Sequence, residues 1–114
     1  MSHRLDRVNK HIQRTFGEVL QREADLPTDV LVTISRVDTS ANLARASIYL
    51  YVNPSERAEE IIEHLTPQLY DLQGSLNRKL DLKPLPRLRL RIDYGADHAQ
   101  HINQTIDTLD QHPD

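Results

Sequence analysis

The stretch Ala44-Arg45-Ala46-Ser47-Ile48-Tyr49-Leu50-Tyr51-Val52 alternates without a break. Ala44, Ala46, Ile48, Leu50 and Val52 fall on one side of an extended chain, and Arg45, Ser47, Tyr49 and Tyr51 on the other. That period of two predicts a strand with one buried face. Ahead of it, Val30, Val32 and Ile34 alternate with Leu31, Thr33 and Ser35, a second strand with one face more apolar. The polar run Asp38-Thr39-Ser40-Ala41-Asn42 between them is short, so the two strands form an antiparallel hairpin.

Working outward, the period changes to that of helices. Leu5, Val8, Ile12, Phe16, Val19 and Leu20 recur at three- and four-residue steps, predicting an amphipathic helix over about residues 3–23. Pro27 and Asp29 end it. Beyond the hairpin, Asn53-Pro54-Ser55 stops the strand, and Ser55 is placed to cap a helix. Glu56, Glu59 and Glu60 carry the charge that a helix N-terminus favours. Ala58, Ile61, Ile62, Leu65, Leu69, Leu72, Leu76 and Leu80 extend the stripe past Pro67, which has no amide hydrogen to give a continuous helix. Thr66-Pro67 reads as an N-cap and first helical residue. Two helices, about 55–65 and 67–80, are therefore expected to meet at a kink.

Lys83-Pro84-Leu85-Pro86 is an extended stop, after which Leu88, Leu90 and Ile92 alternate with Arg87, Arg89 and Arg91 in a third strand that Gly95 ends. Ile102, Ile106 and Leu109 predict a short terminal helix, with residues 110–114 a frayed tail. The expected architecture is α+β. Helices cover one face of a three-stranded sheet in two layers, within a single domain spanning residues 1–114. Ala46, Ile48, Leu50, Leu88, Leu90 and Ile92 are expected to line the buried face, leaving Arg45, Tyr49, Arg89 and Arg91 wetter.

Several function classes drop out on composition. The chain has no cysteine, which removes disulfides, thiolate nucleophiles and cysteine-based metal centres. No apolar run approaches a membrane span, and Met1-Ser2-His3-Arg4-Leu5-Asp6-Arg7 lacks a signal-peptide core, so a cytoplasmic protein without a membrane partner is expected. Gly17, Gly74 and Gly95 build no glycine-rich phosphate loop. Asp97, His98 and His101 put two imidazoles near a carboxylate, but a polar helix surface accounts for them, and no metal or cofactor is expected. Asp71, Asp81 and Asp93 have no partner at a telling spacing. Nothing argues for an enzyme or a small-molecule substrate.

The net charge of −3 hides an uneven distribution. Residues 1–22 carry five Lys/Arg against two Asp/Glu, residues 23–77 three against nine, residues 78–91 six against one, and residues 92–114 none against five. Local field decides where a polyanion touches. Arg78, Lys79, Lys83, Arg87, Arg89 and Arg91 form one basic island, and phosphate contact needs positive groups spread along such a path. A solvated strand edge protected by charge accounts for the same residues. Arg4, Arg7, His11 and Arg14, with Lys10 beside them, form a ridge on the first helix, which is also what the wet side of an amphipathic helix looks like. Tyr49 and Tyr51 share a strand face with Arg45, and Arg89 and Arg91 can join it, an arrangement some RNA modules use to stack bases.

With its elements in this order, the chain resembles the bacterial ribosome-binding factor A family over about residues 4–109. Arg7-Val8-Asn9-Lys10-His11-Ile12 and Glu18-Val19-Leu20 are similar to the family's opening helix. Val37-Asp38-Thr39-Ser40-Ala41-Asn42-Leu43-Ala44-Arg45-Ala46-Ser47-Ile48-Tyr49 resembles its hairpin, and Leu80-Asp81-Leu82-Lys83-Pro84-Leu85-Pro86-Arg87-Leu88 its approach to the last strand, with Pro86 and Asp93 at usual positions. The resemblance implies a type II KH-like domain ordered helix-strand-strand-helix-kink-helix-strand, to which the terminal helix is added. It implies a non-enzymatic assembly factor that binds the immature small ribosomal subunit and its rRNA, assists rRNA processing and supports growth in the cold. Arg78 and Lys79 match basic positions after the family kink, and the protein is expected to act as a monomer.

At the kink the chain departs from the family. Alanine, any residue, then glycine is usual, with an arginine soon after, whereas this chain has Gln68-Leu69-Tyr70 and Gln73. Pro67, Gln68, Leu69 and Tyr70 are thus the expected kink. The acidic middle and the missing glycine also permit an alternative, a KH-like protein-interaction module without nucleic-acid binding.

Overall fold

Ile12 and Phe16, Ile48 and Leu50, Ile61 and Leu65, and Leu76 are fully buried in one cluster, so every amphipathic stripe in the described chain meets the same core. The computed structural model describes residues 2–81 and 85–95. Helix α1 spans Ser2–Glu23, followed by strands β1 (Leu31–Thr39) and β2 (Arg45–Asn53). Helices α2 (Ala58–Leu65) and α3 (Leu69–Lys79) and strand β3 (Arg87–Ile92) complete the order. This is the α+β, type II KH-like order expected. The terminal helix lies outside the described residues.

The sheet order is β1-β2-β3, with β2 antiparallel to β1 and parallel to β3. Helix α1 packs on β1 and α3, and α2 on β2 and β3, so the helices cover one face only. Ala46, Ile48, Leu50 and Val52 of β2 are buried beneath them, as is Leu88. Burying each large aliphatic side chain of this kind is worth about 1.5–3 kcal/mol. Leu90 and Ile92 are half-buried on the same side, less covered than expected because β3 is an edge strand.

Four local expectations are corrected. Asp38 and Thr39 belong to β1, which runs to Thr39 because the register shifts between Ile34 and Arg36 and carries Val37 and Thr39 into the core. Ala44 is exposed just ahead of β2 and does not join its buried row. Ser55 does not cap α2: the chain enters through a 3-10 turn at Ser55–Arg57, where the Arg57 N–H donates to the Pro54 carbonyl. Thr66 is likewise no N-cap, since its hydroxyl donates back to the Ile62 carbonyl at 2.7 Å. The kink itself is where Pro67 puts it, a 3-10 turn over Thr66–Gln68 that separates α2 from α3.

The hairpin loop is held by side chains. Ser40 Oγ donates to Asn42 Oδ1 at 2.7 Å and accepts from the Ala44 and Arg45 N–H groups. Asn42 Oδ1 also accepts from Ala44 N–H, and Leu43 takes the left-handed conformation, φ 61°, that closes the turn. The serine and asparagine of this motif thus replace backbone partners that the turn cannot supply.

Candidate nucleic-acid interface

The face of the sheet turned away from the helices is built by alternation. Arg45, Ser47, Tyr49 and Tyr51 point outward from β2 because Ala46, Ile48, Leu50 and Val52 point inward. Cross-strand partners share a face. Arg45 stands opposite Arg87, Ser47 between Asp38 and Arg89, and Tyr49 between Arg36 and Arg91. The Arg36 guanidinium lies over the Tyr49 ring, 3.8 Å from its centroid, a cation–π contact. Arg91 Nε donates to Ser47 Oγ at 3.4 Å. Tyr51 is 44% exposed. Arginine planes and tyrosine rings thus run across all three strands.

Two carboxylates border this field, Asp38 and Asp93. A hydrogen bond from Ser35, the Gly95 N–H at 2.9 Å and the Arg36 charge hold Asp93 below its ordinary value, so it stays ionised at neutral pH. Its position at the end of β3 keeps it at the margin, while the row through Tyr49 carries Arg36 and Arg91 and the row through Ser47 balances Asp38 against Arg89.

The basic island contiguous in sequence is divided in space. Arg87 is exposed and Arg89 and Arg91 half-buried on the open sheet face. Arg78 and Lys79 are exposed in the last turn of α3, in the layer on the other side, where a helix C-terminus favours cations. Arg78 donates to Ser75 Oγ at 2.9 Å, and that hydroxyl in turn donates to Glu23 at the end of α1. Lys83 lies outside the described residues. The α1 ridge forms as expected, with Arg4, Arg7, Lys10, His11 and Arg14 exposed opposite Val8, Ile12 and Phe16.

At the kink, Pro67 and Tyr70 are exposed and Leu69 half-buried, while Gln68 turns back to the loop after α1. Its carboxamide accepts from Asp25 N–H at 2.7 Å and donates to the Asp25 and His64 carbonyls. Gln73 docks on β3. Its Nε2 donates to the Pro86 carbonyl at 3.0 Å and its Oε1 accepts from Leu88 N–H at 2.9 Å. That amide closes the start of the outer β3 edge as a neighbouring strand would.

Sequence reasoning missed Arg36 as a site residue. Strict alternation from Ile34 puts it on the buried face, and only the register shift turns it out. Among the described residues no three His, Cys, Asp or Glu side chains gather as metal ligands, and no helix is long and apolar enough to cross a membrane. Asp97, His98 and His101 lie outside the described residues.

The family profile described as Ribosome-binding factor A matches residues 4–106. A ribosome-binding factor A from Xanthomonas oryzae pv. oryzae is 29% identical over 111 residues, covering 95% of this chain and 83% of its own. The solution structure of a Thermotoga maritima protein described as a putative ribosome-binding factor A superposes with a TM-score of 0.68 at 29% identity, over 85% of this chain and 93% of that one. A homology model of the Thermus thermophilus ribosome binding factor A, fitted into the cryo-EM map of its complex with 30S, superposes with a TM-score of 0.58 at 24% identity, over 73% of this chain and 88% of that one, and shares the fold.

Proposed function

This chain belongs to the ribosome-binding factor A family, and from that premise we propose that it binds the immature small ribosomal subunit through its rRNA. It acts there as an assembly factor and not as an enzyme, assisting rRNA processing, in the cytoplasm and as a monomer. Growth in the cold is the condition under which its loss is expected to matter most. The observation that carries this reading is the open sheet face, where Arg36, Arg45, Arg87, Arg89 and Arg91 lie among Tyr49 and Tyr51. Arginine forks fit phosphate oxygens and tyrosine rings accept unpaired bases. A protein-interaction module without nucleic-acid binding is the alternative, and the salt dependence of binding separates the two. Arg78 and Lys79 on α3 and the ridge of Arg4, Arg7, Lys10 and Arg14 are additional cations that a large RNA can reach, with Lys83 expected to add to them.

The test is cosedimentation with precursor small-subunit particles across a salt series. Phosphate contact releases counterions, so affinity falls steeply with ionic strength. Arg87→Ala combined with Arg89→Ala is expected to weaken binding and flatten the slope by about one phosphate contact per residue. A doubly substituted protein that folds and cosediments like wild type at every salt concentration would remove the sheet face from the reading.

A further inference from the structure

Helix α3 carries a feature that the cationic surfaces leave unexplained. Tyr70 is 88% exposed, more than any other large apolar side chain among the described residues. Tyr70, Gly74 and Arg78 follow one another at four-residue steps and so lie on one line along the helix. Gly74 leaves a gap in that line. A Cβ there would meet nothing closer than Arg78 Nη1 at 3.7 Å, so the arginine folds back over the gap. Around it opens a cavity of about 450 Å³, lined by Tyr70, Gly74, Asn77 and Arg78 with Asp71 and Glu23 at its sides.

We propose that this face of α3 is a stacking pocket for one unpaired nucleobase, the ring entering above Gly74 between the Tyr70 ring and the Arg78 guanidinium. The proposal deepens, and rests on, the rRNA-binding reading above. Four helical residues rise about 6 Å, close to twice the ~3.4 Å interval of stacked bases. The interval from Tyr70 to the level of Gly74, where Arg78 lies, therefore suits one flat ring. Arg78 is held for this by Ser75, which Glu23 fixes in turn, so Ser75 and Glu23 are positioning residues. Asn77 accepts from Gln73 through its Oδ1 at 3.2 Å, which leaves its amide NH2 as a donor for a base edge. Two carboxylates against one guanidinium at the cavity make it a poor phosphate site and a suitable one for a neutral ring.

The experiment uses the full chain and a short fluorescein-labelled oligoadenylate, read by anisotropy across a salt series, beside cosedimentation with precursor particles. Tyr70→Ala removes the platform, and Gly74→Leu fills the gap while favouring the helix. Each is expected to weaken oligoadenylate binding about 5- to 100-fold, the size of a lost aromatic–base stack. Tyr70→Phe keeps the ring and is expected to bind within about two-fold of wild type. The salt slope stays unchanged in all three, because no phosphate contact is lost. A urea titration showing Gly74→Leu as stable as wild type keeps its loss of binding attributable to the blocked gap. If Tyr70→Ala and Gly74→Leu both bind oligoadenylate like wild type while Arg89→Ala flattens the salt slope, the pocket is wrong and the sheet face stands. If Tyr70→Ala weakens attachment to the particle but not to oligoadenylate, the face meets a ribosomal protein, and the pocket is equally overturned. If wild type binds neither the oligonucleotide nor the particle, the rRNA reading falls and the pocket with it.

Discussion

Gln68 grips Asp25 from both sides of one peptide, accepting from its N–H at 2.7 Å and donating to its carbonyl at 2.9 Å. A side chain in the turn after α2 thereby fixes the loop that leaves α1, across 43 positions of sequence. Nearby, Arg57 pairs with Asp29 of the same loop at 2.7 Å and with Glu60 of α2 at 2.8 Å, and its guanidinium keeps both carboxyls below their ordinary range. The kink is thus tied to its surroundings by an amide.

Gln68→Ala is expected to cost about 1–2 kcal/mol, the sum of two partly exposed hydrogen bonds. Gln68→Glu keeps the acceptor but faces the Asp25 carbonyl with a second one, so it is expected to be no better. Urea unfolding of both variants measures the cost. Unchanged midpoints would show that the loop holds its place without the clasp.

Ile48→Ala in the core is expected to destabilise by about 2–5 kcal/mol, and Leu90→Ala, half-buried on an edge strand, by less, about 1–2 kcal/mol. Thermal or urea denaturation ranks the two. The reverse order would mean that β3 is packed more tightly than β2.

Much of this architecture is legible from residue patterns because its decisive segments are simple. Ala44 to Val52 alternates cleanly, and α1 and α3 keep their apolar steps, so sheet, helices and kink follow from period and from Pro67. What stays hidden is non-local. The bulge at Ser35 shows only once β1 is laid against β2, and with it the outward turn of Arg36. Gln68 and Gln73 look like ordinary helix-surface amides until the loop and strand they bind are placed beside them. The basic island reads as one surface because its members are neighbours in sequence, whereas α3 ends at Lys79 in the helical layer and β3 begins at Arg87 in the sheet.

Arg36→Ala is expected to weaken binding to precursor particles and reduce the salt slope by about one. Arg36→Lys retains the charge but loses the planar stack on Tyr49, and is expected to restore the slope without fully restoring affinity. Cosedimentation at several salt concentrations reads both. An Arg36→Ala protein with wild-type slope would place the phosphate path elsewhere.

Asp93 supplies a pH test. Its folded value is depressed below 3.8 by Ser35, the Gly95 N–H and Arg36, so its ionised form stabilises the fold above the ordinary carboxylate range. That contribution is lost as pH falls through the depressed value. Asp93→Asn is expected to be less stable than wild type at neutral pH, with a constant gap above about pH 5 that narrows under more acid conditions. Unfolding midpoints of the two proteins across pH measure the gap. One that widens on acidification would contradict the sign.

Strand β2 takes its two neighbours from very different distances along the chain: β1 through one short loop, β3 only after both middle helices. Synthesis runs from the N-terminus at roughly 5–20 residues per second, so for a few seconds the hairpin exists without its parallel partner. During that interval one side of β2 is an open template for any extended segment nearby. The arginines of β3 are also missing then, so the open sheet face has its full set of cations only when the last described strand is in place. For a protein whose proposed ligand is itself a ribosome in the making, that order of events delays the sheet's grip until its own sheet is complete.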